Sequence, residues 1–261
     1  MGTTRYPAVA GMFYPDDPAE LRAMITEFLQ HAAPDGPAPK ALIAPHAGYI
    51  YSGPIAASAY ARLKPVKDTI KKVVLLGPSH RVAFRGLAAP QADEFLTPLG
   101  RIRIDQTAIK AILSLPQVHV LDQAHLMEHS LEVHLPFLQM VLRDFALVPL
   151  VVGEASAEEV SEVLERLWGN KETLIVVSSD LSHYLSYNAA KSMDRQTSTA
   201  IETLDSAAIG HEQACGRTPI IGLLHSARRH HMQVHTIDLR NSGDTSGSKD
   251  RVVGYGAYVF E

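Results

Sequence analysis

Short apolar runs alternate along this chain with segments whose apolar residues recur every three or four positions. The runs at 41–45, 72–77, 146–152 and 173–180 are apolar on both faces, as central strands covered from both sides must be. Further strand-like runs fall at 100–104, 118–121, 233–239 and 252–260. Between them, helical periodicity predicts helices over 17–31, 52–63, 105–114, 130–143, 156–168, 188–203 and 217–229. This alternation predicts an α/β sandwich, a single domain spanning 1–261, with a central mixed, largely parallel sheet flanked by helices. Segment 86–104, punctuated by Pro90, Pro98 and Gly100, reads as a hairpin insertion. The Pro-rich stretch 31–40 is too short to link domains.

Composition narrows the possibilities. A chain of 261 residues that is 46% hydrophobic can bury a large core. A net charge of -4 without a long basic run argues against nucleic acid or an anionic membrane as partner. No apolar run reaches bilayer-spanning length, and the N-terminal segment lacks the core of a signal peptide. The single cysteine, Cys215, leaves no internal disulfide, so a cytoplasmic location is expected.

The chain carries 13 histidines against one tryptophan and one cysteine, and their positions matter more than their number. The run at 41–45 ends at His46, the run at 72–77 leads to His80, and the run at 173–180 ends at Asp180, with His183 just beyond. In open α/β sheets, sites lie beyond the carboxyl ends of the strands. If these strands are parallel neighbours, the three groups converge. One such histidine is more often a hydrogen-bonded structural residue; three in the same topological position point to a shared site.

The residue types suit metal chemistry. Neutral imidazoles bind borderline divalent metals, and two histidines with a carboxylate form the open-sided site of non-haem iron. A further histidine outside that shell can act as a general base. Asp180 can orient the ring of His183 or cap the following helix. Asp244, in the Gly/Ser-rich segment 240–256, can supply a carboxylate ligand, although the same composition suits a plain surface turn. His125 to His129 match an H-x-x-E-H pattern, which requires both histidines on one helical face. Glu128, His129 and Ser130 fall instead at a predicted helix start, where Glu128 or Ser130 can serve exposed amides.

Taken in order, AVAGMFYPDDP (8–18), PHAGYIYSG (45–53), LLGPSH (75–80), EHSLEVHLPFLQ (128–139), SSDLSHY (178–184), CGRTPI (215–220) and the NSGDTSG…RVVGYG ending resemble the Memo family, labelled AmmeMemoRadiSam system protein B in prokaryotes. The resemblance covers essentially the whole chain. It implies a fold like that of LigB-type class III extradiol dioxygenases, and metal-redox or dioxygenase-like chemistry on an unstated substrate. It implies a divalent metal, with iron favoured and copper or zinc as the alternatives, held by His46 and His80. It implies His183 as acid/base with Asp180 beside it, and Phe13, Tyr51, Glu128 and His129 at the pocket. It also implies a sulfur position in the last loop, where this chain has Thr245, so that either Asp244 becomes the substitute third ligand or water completes the site. Cys215 lies in a different motif and reads as a small buried residue. The implied partners are radical-SAM and AMMECR1-like proteins and a small-molecule or peptide ligand. A non-catalytic peptide- or protein-binding module using the same pocket is the competing reading.

Overall fold

The computed structural model describes residues 2–33 and 35–261. The strands are β1 (Thr4–Arg5), β2 (Ala41–Ala44), β3 (Lys72–Pro78), β4 (Leu87–Ala89), β5 (Glu94–Thr97), β6 (Gly100–Arg103), β7 (Val118–Val120), β8 (Ala146–Val152), β9 (Thr173–Ser178), β10 (His183–Leu185), β11 (Val234–Asn241) and β12 (Val252–Phe260). The helices are α1 (Pro18–His31), α2 (Tyr49–Ala61), α3 (Gln106–Ile112), α4 (Asp122–Leu126), α5 (Leu135–Val141), α6 (Ala157–Leu167), α7 (Tyr187–Glu202), α8 (Arg217–Arg229) and the single turn α9 (Ser242–Thr245).

The main sheet has the order β10-β12-β2-β9-β3-β8-β4-β7, with β11 also paired to β12. Its centre, β2-β9-β3-β8, is parallel. Strand β12 runs antiparallel to β2, and β10 and β11 run antiparallel to β12. Strand β4 is antiparallel to β8 and parallel to β7. The sheet is therefore mixed with a parallel heart. Every residue of β2, β8 and β9 is buried, because helices cover both faces: α6 and α8 pack together, with α8 on β3 and β9, while α2 lies on β2, β11 and β12.

Three local expectations need correction. The segment 86–104 is not one insertion. Leu87–Ala89 joins the main sheet as β4, fully buried, and only β5 and β6 form a hairpin, to which β1 adds a parallel strand. Pro90 closes β4 after three residues, too short a run to show periodicity. The helix expected from 130 begins at Leu135, where Pro136 suits its first turn. Residues 128–131 are held out of the helix by the carboxylate of Glu128, which accepts from the amides of His129 and Ser130, each at 3.0 Å. Helix α2 begins three residues earlier than expected, directly after Gly48.

Candidate metal centre

Strands β2, β9 and β3 are adjacent and parallel, so the residues just beyond their carboxyl ends emerge on one side of the sheet. His46 lies just beyond β2, Asp180 beyond β9, and His80 beyond β3. The rings of His46 and His80 lie 5.1 Å apart, nearly edge to face. His129 joins them from the loop after α4, 4.5 Å from the ring of His80 and 5.4 Å from that of His46. The close approach of this loop to β3 depends on Gly77, where a Cβ would stand 2.8 Å from Ser130 Oγ.

The hydrogen bonds determine which ring nitrogens are free. Ser178 Oγ gives its one proton to the carbonyl of Ser130 at 2.6 Å. Toward His46 Nδ1, also at 2.6 Å, it can therefore only accept. His46 carries its proton on Nδ1 and keeps a lone pair on Nε2. His80 donates Nδ1–H to Glu128 Oε1 at 2.9 Å, which frees its Nε2 in the same way. A carboxylate behind a histidine is the arrangement that orients metal-binding imidazoles.

Burial and the neighbouring His80 and His129 hold His46 well below the usual imidazole range. Burial and His80 bring His129 down to about 4. Burial alone would raise Glu128, but the hydrogen bonds from His80 and Ser130 bring it down to about 2. The pocket thus holds His46 and His129 neutral beside an ionised carboxylate.

Beside the two imidazoles stands Cys215, whose sequence setting suggested only a small buried residue. Cys215 Sγ lies 3.4 Å from His46 Nε2. The nitrogens of His46 and His80 and the sulfur of Cys215 all fall within 4.8 Å of one another, as do donor atoms of His80, Glu128 and His129. Cys215 is drawn in by backbone chemistry. Its amide donates to the carbonyl of Asp180 at 3.3 Å, and the amide of Gly216 donates to Ser179 Oγ at 2.9 Å. A Cβ on Gly216 would stand 2.6 Å from the Ser178 carbonyl, so only glycine admits this contact. Burial and the charge of Asp180 push the Cys215 thiol up to about 12. The C-G dipeptide at a helix start was the available signal, but nothing in its sequence setting tied it to His46.

Asp180 caps no helix. Its Oδ1 accepts from the amide of His46 at 2.8 Å and so positions the loop that carries His46. Burial raises its carboxyl to about 6, with the His46 amide and the charge of His183 opposing. His183 stands outside the cluster on β10 and is exposed. The loop leading to it is fixed by the amide of Ser182, which donates to Asp194 Oδ1 at 3.0 Å. Phe13 packs on His129 at 4.9 Å, and Gly48 separates its backbone from Tyr51 on α2.

Asp244 does not join the donors. It is the fourth member of a capping box with Asn241, whose amide it accepts at 3.0 Å through Oδ2, and its Oδ1 accepts from Tyr187 Oη at 2.5 Å. Both oxygens are therefore committed to a helical turn, not to the open loop expected. Thr245 also lies in α9, with Oγ1 donating to the carbonyl of Ser242 at 3.3 Å. The sulfur nearest the two histidines is that of Cys215, outside this loop. Asp244→Ala is expected to cost about 1 kcal/mol, as loss of a helix-cap group does, and to leave metal affinity unchanged. Denaturation and metal titration of the same variant check both halves.

The H-x-x-E-H match is also resolved. His125 lies at the end of α4 and donates Nε2–H to the carbonyl of Ala88 at 2.9 Å, packed edge-on to Phe95. It shares no helical face with His129. A feature with no sequence signal stands next to it. The buried carboxylate of Glu132 accepts from Arg5 Nη1, from the amides of Ala8 (2.7 Å) and Val9 (2.9 Å), and from Tyr14 Oη at 2.6 Å. Arg5 in turn donates to the carbonyls of His125 and Glu128. This network fastens the segment bearing Phe13 to the loop bearing His129.

Fold and site together define a mixed α/β protein with a histidine–thiol cluster at the carboxyl ends of parallel strands. A family model described as Memo-like protein matches residues 5–259. The MEMO1 family protein of Aquifex aeolicus (strain VF5) is 36% identical over 267 residues, covering 98% of each chain. That of Metallosphaera sedula is 34% identical over 280 residues, covering 98% of this chain and 99% of its own. The chain belongs to the Memo family. In fold it is also similar to the crystal structure of an uncharacterized protein from Escherichia coli K12, with a TM-score of 0.51 at 13% identity, covering 82% of this chain and 98% of that one. Among the described residues, no helix is long and apolar enough to cross a membrane.

Proposed function

We propose that this Memo-family protein holds a divalent redox metal with His46, His80 and Cys215 and serves metal-dependent oxidative chemistry on a small molecule. The observation that carries the reading is the convergence of two lone-pair nitrogens and one sulfur within 4.8 Å, with both Nδ1 protons already committed elsewhere. A thiol in place of the expected carboxylate softens the donor set. Copper and zinc thereby gain ground on the iron that a carboxylate triad favours. When bound, the metal supplies Lewis acidity and, for copper or iron, electron exchange.

The chain's own residues do the rest. Glu128 and Ser178 hold the two rings in their metal-binding tautomers. Phe13, Tyr51 and His129 wall the pocket and exclude water. His183, exposed on β10, is the acid/base group of this reading, while Asp180 sets the His46 loop.

The pH dependence of metal affinity tests the ligand set. His46 stays neutral across the working range, so protons do not compete for it. The Cys215 thiol, pushed up to about 12, keeps its proton until the metal displaces it. Apparent affinity is therefore expected to climb about tenfold per pH unit from about pH 7.5 to about pH 9. Cys215→Ser should bind more weakly and lose this slope. A wild-type affinity that levels off above about pH 7.5 would remove the sulfur from the site.

A second reading, a non-catalytic peptide- or protein-binding module, draws on exposed apolar side chains. Tyr6, Met12, Leu126, Met127 and Tyr184 are all exposed on the segments that carry Phe13, His129 and His183. Radical-SAM and AMMECR1-like proteins are the partners to present to it. Capture that survives removal of metal favours the module over the enzyme.

A further inference from the structure

A cleft of about 450 Å³ opens beside the cluster and shares Cys215 with it. Its wall begins with Pro78 and Ser79, immediately before His80, and continues through Val82, Ala83, Phe84 and Arg85. The end of β8, bonded to this wall, and the first turn of α8 complete the lining. The wall is preformed. Ser79 Oγ donates to the carbonyl of Val82 at 2.6 Å, the amide of Glu154 to that of Phe84 at 2.8 Å, and the amide of Gly153 to that of Gly86 at 2.9 Å. Its size is that of a small-molecule site, and its lining combines the apolar side chains of Pro78, Val82, Phe84 and Val152 with the polar ones of Ser79, Arg85, Glu154 and Thr218.

Among the described residues of the lining, the one cation is Arg85. Its Nε faces Glu154 Oε2 at 3.7 Å, and both side chains are largely exposed, at 88% and 79%. A pair so exposed and so long contributes little. The two terminal amino groups of Arg85 make no hydrogen bond among the described residues, so a carboxylate can take the planar fork while Glu154 remains on Nε. The lining also includes Cys215, whose sulfur faces His46.

We propose that this cleft is the subsite for a small carboxylate with an apolar body, its body against Phe84, its carboxylate on Arg85 and its far end toward Cys215. The proposal rests on the metal-site reading only for the consequence of binding, since a ligand so placed abuts the metal's sulfur donor. Occupancy of the cleft does not require the metal.

Hexanoate is the probe, titrated by ligand-observed NMR into metal-free and zinc-loaded protein. Saturable binding is expected in both forms. Hexanol, without the charge, and acetate, without the body, are each expected to bind at least about tenfold more weakly. Arg85→Ala should weaken hexanoate about tenfold. Ala83→Trp, at an exposed wall position, should block it while leaving zinc affinity unchanged. Absence of saturable binding by the wild type, or an unchanged affinity in Ala83→Trp, overturns the proposal. Binding that survives Ala83→Trp but disappears in His46→Ala places hexanoate on the metal, which overturns the cleft and leaves the metal reading standing. Zinc binding that fails while hexanoate binds normally has the opposite meaning.

Discussion

Replacing His46 and His80 together by alanine is expected to abolish stoichiometric metal binding in a protein that still folds. The ligand nitrogens of the two imidazoles lie within 4.8 Å of each other, and each ring is held by a dedicated partner, Ser178 Oγ for His46 and Glu128 for His80. Loss of an outer partner alone typically weakens such a site about 10–100-fold, so Glu128→Gln is expected in that range and the double alanine variant beyond it. Glu128→Gln has a second effect, because the same carboxylate also holds the amides of His80, His129 and Ser130. Part of its cost should therefore appear as lower stability. Metal content of protein purified without chelator, measured beside circular dichroism, reads both. Near one metal per chain in the double variant would show that the ligands lie elsewhere.

The largest stability effect is expected at Glu132. Its carboxylate is fully enclosed and accepts from a guanidinium, two amides and a phenol. Glu132→Ala leaves the buried Arg5 charge uncompensated and three donors without an acceptor, which should cost about 3–5 kcal/mol. Arg5→Met, which keeps the volume and removes the charge, should cost less than Glu132→Ala, because Tyr14 and the amides of Ala8 and Val9 retain their acceptor. Urea denaturation measures both. A Glu132→Ala cost below about 1 kcal/mol would show that the network contributes no more than a surface pair. Since this network fastens Phe13's segment to His129's loop, Glu132→Ala should also weaken metal binding without touching a ligand.

The parallel heart of the sheet was legible because its strands are buried on both faces and therefore read as continuous apolar runs. His46 and His80 were legible because a histidine directly beyond such a run has few structural reasons to be there. Cys215 was not. A lone thiol looks the same in sequence whether it fills a gap or faces an imidazole, and only the fold brings the start of α8 to His46. Asp244 misled for the converse reason. Short polar segments such as SGDTSGS encode a turn and a capping box with the same residues that could ligate a metal, and the nearest amides take the carboxylate first. Strand β4 escaped because three buried residues are too few to show a period, and the Glu132 network because its members are more than 100 residues apart.

Cys215 and His46 are 169 residues apart in the chain, and His80 lies between them, beyond a different strand. An ion shared by the three would act as a removable staple, pinning the start of α8 to the mouths of β2 and β3. It also favours the folded state by mass action, by about 2.7 kcal/mol at a free metal concentration a hundredfold above the dissociation constant. Melting temperature would then track free metal, so that chelator and metal titrations report site occupancy before any substrate is known. In a cell with little available metal, the unmetallated protein would be the form first exposed to unfolding and proteolysis.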